Sequence, residues 1–380
     1  MKANIFIAGS GGIGQAAGLI LSEFDILDTE IYFGDISQAA LDKAVEFIVQ
    51  GCTKKVKVHT VLMPAEGSND TLSEVLERCD VILDCLPGSQ APGIAALAKR
   101  HHCHYANLTE YVHETNQIKT LSKDADTAFV LQTGLAPGFI NILANQLFKE
   151  FSSDFNVTEA DSLKMKVGAI SQHAQSPYFY AFTWSPIGVA TEYLKDAEVV
   201  KDYKKINVPA LSGLETIIID GETYEDNYTS GGAADLPDAF AGKVRDLDYK
   251  TIRYPGHYDW VKDVVNNIPA GDDTIRILEQ TMLTRIPSVE DDMVIIYASV
   301  TGKDANGQLR SKEKSYKIKP SYVGRKKLRA IQTTTAAPLC QVAYMMLTNN
   351  WKGTILQSEL ETEKFLNGPF VKAIYGNYDR

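Results

Sequence analysis

The sequence predicts an α/β protein: a doubly wound parallel sheet at the N-terminus, then a second α+β domain built on a mixed sheet. Three observations carry that reading. Residues 3–8 form a short apolar run (Ala3 to Ala8) that ends in Gly9-Ser10-Gly11-Gly12-Ile13-Gly14 and passes at once into the helical spacing Ala16, Ala17, Leu19, Ile20, Leu21. Strand-like and helix-like segments alternate from there to about residue 133, which implies parallel strands joined by helical crossovers. Past Thr133-Gly134-Leu135-Ala136-Pro137-Gly138 the pattern changes to strand-rich sequence separated by long polar loops. At 380 residues the chain exceeds what one core usually fills. The expected division is 1–133 for the first domain and 134–334 for the second, with helices from about 335–380 completing the first.

Strand, glycine turn and helix in that order are what a Rossmann dinucleotide-binding unit requires. Gly9 permits the sharp turn, Gly11 lets the backbone approach a pyrophosphate, and Gly14 lets the helix pack on the strand. Ser10, Gly12 and Ile13 complete the turn, whose free N–H groups at the helix start favour an anion. A second strand, Glu30 to Gly34, ends in Asp35, placed to accept both hydroxyls of an adenosine ribose, with Ile36 after it. No Arg follows to receive a 2′-phosphate, so NAD is expected over NADP, with Lys54 or Lys55 the residues able to weaken that preference.

The remaining elements follow from periodicity. A helix is expected over Ala39 to Ile48, with Leu41, Ala44, Val45 and Ile48 on one face, and a third strand over Lys55 to Leu62. Asp80 to Pro87 reads as a buried strand ending in a loop, which puts Leu86 and Pro87 beside the cofactor. A helix over Ile94 to Arg100, a strand over Cys103 to Ala106, a helix over Val112 to Ala125 and a strand over Ala128 to Gln132 complete the alternation. In the second region Phe139 to Phe148 reads as a helix, and Leu163 to Ile170, Glu215 to Asp220 and Met293 to Thr301 as strands. Ala336 to Leu347 reads as an apolar core helix.

Composition narrows the function classes. The hydrophobic fraction of 44% and charged fraction of 23% are those of an ordinary globular protein. A formal charge of −10 argues against nucleic-acid and anionic-membrane partners. No apolar run approaches the roughly 20 residues of a membrane span. Five scattered cysteines without a CxxC read as reduced thiols. With a first strand starting near residue 3 and no room before it for a leader, a cytoplasmic location is expected. His101-His102-Cys103-His104 is a poor metal site, because neighbours on a strand point to opposite faces.

Four further stretches carry a resemblance: Leu86 to Ser89, Gly134 to Asn141, Phe182 to Gly188 and Thr251 to His257. With the glycine turn they resemble the saccharopine dehydrogenase-like family, including saccharopine reductases and lysine 6-dehydrogenases. The resemblance implies NAD(P)-linked oxidation at a carbon bearing an amine nitrogen, an amino-acid or amino-acid-conjugate substrate held by the second domain, and a homodimer. On it, Arg253 is expected to hold a substrate carboxylate through its planar fork, and His257 to take a proton. Tyr254 and Trp184 are expected to wall the pocket, and Asn141 to bond substrate or cap a helix. No metal is expected.

Two positions depart from the saccharopine reductase pattern: Ala136 stands before the Pro-Gly, and 222–232 contains no Arg. Both look more like the lysine 6-dehydrogenase branch. Glu222, Glu225 and Asp226 in that stretch would welcome an amine end, so lysine or a similar diamine is expected over saccharopine, unless Lys243, Arg245 or Lys250 folds into the pocket. Two other readings stay open: a carboxynorspermidine-type reductase of polyamine synthesis, and a non-catalytic dinucleotide sensor.

Overall fold

In this computed structural model, which describes residues 1–174, 177–269, 271 and 273–378, the apolar runs and amphipathic helices fall where the alternation demands. The order is β1 (Lys2–Ala8), α1 (Gly12–Glu23), β2 (Asp28–Asp35), α2 (Gln38–Gly51), β3 (Lys57–Leu62), α3 (Asp70–Leu76), β4 (Val81–Asp84), α4 (Ala91–Arg100), β5 (His104–Asn107), α5 (Val112–Ser122) and β6 (Ala128–Val130). β1 and β4 read as continuous apolar runs because helices cover both faces of a parallel sheet; Ile5, Ile7, Ile82 and Leu83 are all fully buried. Side chains cap the helices that follow polar loops. Ser37 accepts from the Ala40 N–H at the start of α2, and Asn69 from the Leu72 N–H at the start of α3.

The chain continues with α6 (Phe139–Phe155), β7 (Ala160–Ser171), α7 (Pro186–Leu194), β8 (Ala197–Lys201), β9 (Lys204–Val208), β10 (Glu215–Ile219), β11 (Glu222–Tyr228), α8 (Leu236–Phe240), β12 (Val244–Arg253), α9 (His257–Asn266), α10 (Thr274–Arg285), β13 (Asp292–Lys303) and β14 (Leu309–Ile318). These strands form a mixed sheet in the order β10-β11-β12-β7-β13-β14, with β8 pairing β12 and β9. Only β12 and β7 run parallel; the other pairs are antiparallel. One cluster of buried side chains joins Ile170, Tyr224, Ile252 and Ile295 of the sheet to Val189 and Tyr193 of α7, Tyr258 and Val261 of α9, and Leu278 and Met282 of α10.

Residues 222–228, which read as polar loop, are a central strand. Their acids are neutralised by lysines from neighbouring strands: buried Asp226 meets Lys166 Nζ at 2.5 Å and Lys250 Nζ at 3.4 Å. Lys250 also reaches Glu215 at 2.8 Å and donates to the Gly213 carbonyl at 2.7 Å. Paired and hydrogen-bonded in this way, the charges are tolerated in the interior.

Five short elements and a long helix follow: β15 (Ser321–Val323), β16 (Lys326–Leu328), α11 (Ala330–Thr348), β17 (Gly353–Ile355), α12 (Thr362–Leu366) and α13 (Pro369–Tyr375). β17 pairs in parallel with β6 and extends the first sheet to the order β17-β6-β5-β4-β1-β2-β3, all parallel. The predicted class, a Rossmann sheet plus a mixed-sheet domain, is what the chain adopts. By contact the chain divides into one unit of Met1–Phe139, Ser321–Leu328 and Gln332–Arg380 and another of Ile140–Pro320 and Arg329–Ile331. The strand order reverses between β1 and β4, so the crevice at their C-terminal ends is where such a sheet takes ligand. Among the described residues no helix is long and apolar enough to cross a membrane.

Candidate cofactor and substrate sites

The glycine turn of the first unit lies at that reversal point. Gly9 has φ of +95°, a conformation that side chains disfavour, and its N–H donates to the Gly34 carbonyl at 2.7 Å. A Cβ at Gly14 would stand 2.0 Å from the Gly9 carbonyl oxygen, so helix and strand need glycine there to meet. Gly11 differs: a Cβ there meets nothing within 4 Å, so its face opens onto free space. Gly12 and Ile13 begin α1, whose first-turn N–H groups have no partner within the helix. These are the features a pyrophosphate cradle needs.

Asp35 at the end of β2 closes the other side. Its Oδ2 accepts from the Ser10 N–H at 2.9 Å and the Ser10 hydroxyl at 2.6 Å, and its Oδ1 from the Ser37 N–H at 3.0 Å. Burial works to raise the carboxyl's pKa, but these donors outweigh it and hold it below the usual range. Ile36 beside it is 63% exposed, an apolar surface suited to an adenine face. Lys54 and Lys55 precede β3, which is parallel to β2 and pairs Glu30 with Lys57 and Asp35 with Leu62. They therefore stand at the far end of the sheet from Asp35, and Lys54 is paired with Asp25. Neither is placed to receive a 2′-phosphate.

Two glutamines the sequence reading missed also brace the turn. Gln15 donates to the Ser10 carbonyl at 2.8 Å, and Gln332 of α11 donates to the Gly12 carbonyl at 3.0 Å. Gln332 lies too far along the chain for any local pattern to reveal it. Leu86 and Pro87 follow β4, and the Leu86 side chain packs against the position of Gly9. The Leu86 N–H donates to Asp84 Oδ1 at 3.1 Å, and the Tyr105 hydroxyl donates to Asp84 Oδ2 at 2.8 Å. Burial pushes the Asp84 carboxyl up to about 6 against those two bonds.

In the second unit, Arg253 and His257 come together inside an aromatic cluster. Arg253 is 1% exposed, its Cζ 4.6 Å from the centre of the Tyr180 ring and 5.7 Å from that of Tyr193. Its Nε donates to the Tyr193 hydroxyl at 2.8 Å and its Nη1 to the Ile252 carbonyl at 3.0 Å. Its Nη2 is buried with no hydrogen-bond partner. His257 is fully buried, with Nδ1 2.8 Å from the Tyr178 carbonyl and Nε2 3.0 Å from the Tyr193 hydroxyl. Burial, then the Arg253 charge, push its pKa down to about 3, so the imidazole is neutral. Tyr180 and Tyr193 carried no motif; their only sequence signal is the density of tyrosine around the Phe182 to Gly188 stretch.

The other expected residues surround this cluster or lie beyond it. Tyr254 donates to the Ser171 and Gln172 carbonyls at 3.0 and 3.1 Å, and its ring lies 5.7 Å from that of Tyr224. Trp184 is half-buried against Gly188, where a Cβ would meet its ring at 2.4 Å. Asn141 is fully buried in α6 and donates to the Gly232 carbonyl at 3.0 Å. The acids expected to meet a substrate amine are engaged elsewhere. Asp226 is held by Lys166 and Lys250, Glu222 by Lys317 and Tyr224, and Glu225 accepts from the Gly256 N–H. The electrostatic ground for preferring a diamine is thereby removed. In the His101 to His104 run, His102 pairs with Asp126 and His104 Nδ1 accepts from the Ala128 N–H.

The family described as the saccharopine dehydrogenase NADP binding domain matches residues 5–132, and that described as the saccharopine dehydrogenase C-terminal domain matches residues 134–374. The chain belongs to the saccharopine dehydrogenase family of NAD(P)-dependent dehydrogenases. Within that family's reach, the chain is 27% identical over 165 residues to the mitochondrial alpha-aminoadipic semialdehyde synthase of Rattus norvegicus. The match covers 42% of this chain and 17% of the rat protein. Among solved structures, saccharopine dehydrogenase (L-Glu forming) from Saccharomyces cerevisiae superposes with a TM-score of 0.75 at 14% identity, covering 98% of both chains. Homospermidine synthase from Legionella pneumophila, in complex with NAD, gives 0.65 at 12% identity over 99% of this chain and 91% of that one. Both likenesses are of fold.

Proposed function

We propose that the protein acts on the CH–NH bond of an amino acid or amino-acid conjugate of the saccharopine or lysine type, with NAD as its preferred hydride carrier. The observation that carries the substrate class is the buried Nη2 of Arg253, which has no hydrogen-bond partner. A buried donor without an acceptor costs about 1–3 kcal/mol, and more when charged, so Nη2 calls for an anionic guest. A carboxylate suits it, because a guanidinium fork bonds two oxygens at once. Trp184 and Tyr254 pack against the same aromatic cluster and are the walls we assign to the pocket. Asn141 holds the loop after β11 in place.

When bound, the nicotinamide supplies hydride acceptance from the carbon that carries the nitrogen. The chain's part is to hold the pyrophosphate over Gly11, the ribose at Asp35 and the substrate carboxylate at Arg253. His257 is neutral, with both nitrogens engaged, and is not assigned proton transfer. Preference for NAD rests on the Asp35 carboxylate, kept ionised by its donors, and on Lys54 and Lys55 standing at the far end of the sheet from it. The test is turnover with NAD and with NADP across saccharopine, lysine, carboxynorspermidine and carboxylate-free amines. Activity confined to carboxylate-bearing amines with NAD agrees with the reading. NADP preference, or equal use of carboxylate-free amines, overturns it.

A further inference from the structure

We propose that Tyr193 is the positioning residue of the substrate site: its hydroxyl locks the Arg253 fork by accepting from Nε while donating to a neutral His257. This rests on the reading of Arg253 as the carboxylate holder. The directions of the hydrogen bonds follow from elimination. A carbonyl only accepts, so His257 Nδ1 carries a proton and donates it to the Tyr178 carbonyl at 2.8 Å. Arginine Nε only donates, so at 2.8 Å the Tyr193 oxygen is its acceptor. The one proton on the Tyr193 hydroxyl is then free to go to His257 Nε2 at 3.0 Å, which must be the bare nitrogen.

The hydrogen bonds run one way, from Arg253 Nε through the Tyr193 hydroxyl and His257 to a backbone carbonyl, and occupy Nε, the Tyr193 proton and both ring nitrogens. It leaves Nη1 on the Ile252 carbonyl and Nη2 as the one guanidinium nitrogen without a partner. Protonating His257 would turn Nε2 into a donor and leave the Tyr193 proton without its acceptor. Burial and the Arg253 charge resist that and outweigh the Tyr178 carbonyl, which favours it. The rings of Tyr180, Tyr193, Tyr258 and Trp260 lie 4.8 to 5.9 Å away and exclude water. A phenylalanine at 193 keeps the ring over Arg253 but strands Nε and Nε2 together, so the fork loses its fixed orientation.

The experiment compares Tyr193→Phe with Arg253→Met in the full chain, measuring KM and kcat for a turned-over carboxylate-bearing amine and the Kd for NADH. Tyr193→Phe is expected to raise KM about tenfold or more, with the NADH Kd unchanged. Arg253→Met is expected to raise it further. If Arg253→Met raises KM and Tyr193→Phe does not, the positioning role falls while the carboxylate reading stands. If neither variant moves KM, the carboxylate reading itself falls. Nitrogen NMR of the parent protein provides a check that needs no variant: His257, assigned by its loss in His257→Gln, should show protonated Nδ1 and bare Nε2 from about pH 5 to about pH 8. A protonated Nε2, or a titration near the ordinary histidine value, overturns the proposal.

Discussion

Alanine at Gly11 and at Gly14 should separate cofactor binding from folding, two roles that one glycine motif combines. A methyl group at Gly11 enters open space, with nothing within 4 Å. The residue has φ of −72° and ψ of −171°, extended backbone that alanine adopts freely, and it is the N-cap of α1. Losing glycine at a cap costs less than about 1 kcal/mol, or a melting shift of no more than about 4 °C. The same methyl stands where the pyrophosphate must approach the backbone. A tenfold weaker NADH Kd corresponds to about 1.4 kcal/mol, and Gly11→Ala should exceed that. At Gly14 the methyl would sit 2.0 Å from the Gly9 carbonyl, so backbone has to move. Overpacking of this kind costs about 1–3 kcal/mol and should lower Tm by several degrees as well as weakening NADH. Thermal unfolding and NADH titration by tryptophan quenching read both effects. NADH binding unchanged in Gly11→Ala, or a Tm loss equal to that of Gly14→Ala, would refute the cradle.

Three other outcomes follow from the same geometry. Asp35→Ser should narrow the ratio of NADP to NAD Kd values tenfold or more, while Lys55→Ala leaves the ratio alone; a ratio unmoved by Asp35→Ser would mean the carboxylate does not face the ribose. Burial depresses the folded pKa of His257 to about 3, from about 6.5 in the unfolded chain, so the unfolded state binds more protons between those values. Its stabilisation is full above about pH 6.5 and falls by up to about 1.4 kcal/mol per unit as pH drops below that. His257→Gln should therefore flatten the loss of Tm between about pH 7 and about pH 5, and a parallel loss in both proteins would contradict the buried neutral imidazole. Asp226→Ala leaves the buried Lys166 and Lys250 with the half-exposed Glu215 as their remaining carboxylate, which should cost on the order of 1–3 kcal/mol and leave the NADH Kd unchanged.

The legible part of the chain is the local part. Strand, glycine turn, helix and acidic strand end lie within the first 35 residues, where Gly9 takes φ of +95°, Gly14 leaves no room for a Cβ, Gly11 faces open space and Asp35 accepts from Ser10. The second unit was less legible because its pairings are long-range. Residues 222–228 carry three acids and look like a loop, and their partners as a strand come from afar: Asp226 meets lysines on β7 and β12, Glu222 a lysine on β14, and Glu225 the Gly256 N–H. His257 has the residue type of a proton acceptor, but the six aromatic and cationic neighbours that bury it come from 178–193 and 253–260, and no spacing rule joins those segments. The Gln332 bond to Gly12 spans most of the chain and is invisible to periodicity for the same reason.

The central claim, hydride transfer from a carbon bearing nitrogen, is tested most directly by isotope. An amino-acid substrate that the enzyme turns over, deuterated at the carbon attached to the amine nitrogen, is incubated with NAD, and the reduced cofactor is weighed by mass spectrometry. The account predicts reduced cofactor one mass unit heavier, with the label absent when deuterium is placed elsewhere in the substrate. Reduced cofactor of natural mass, or intact NAD binding with no reduction by any amine, would contradict it.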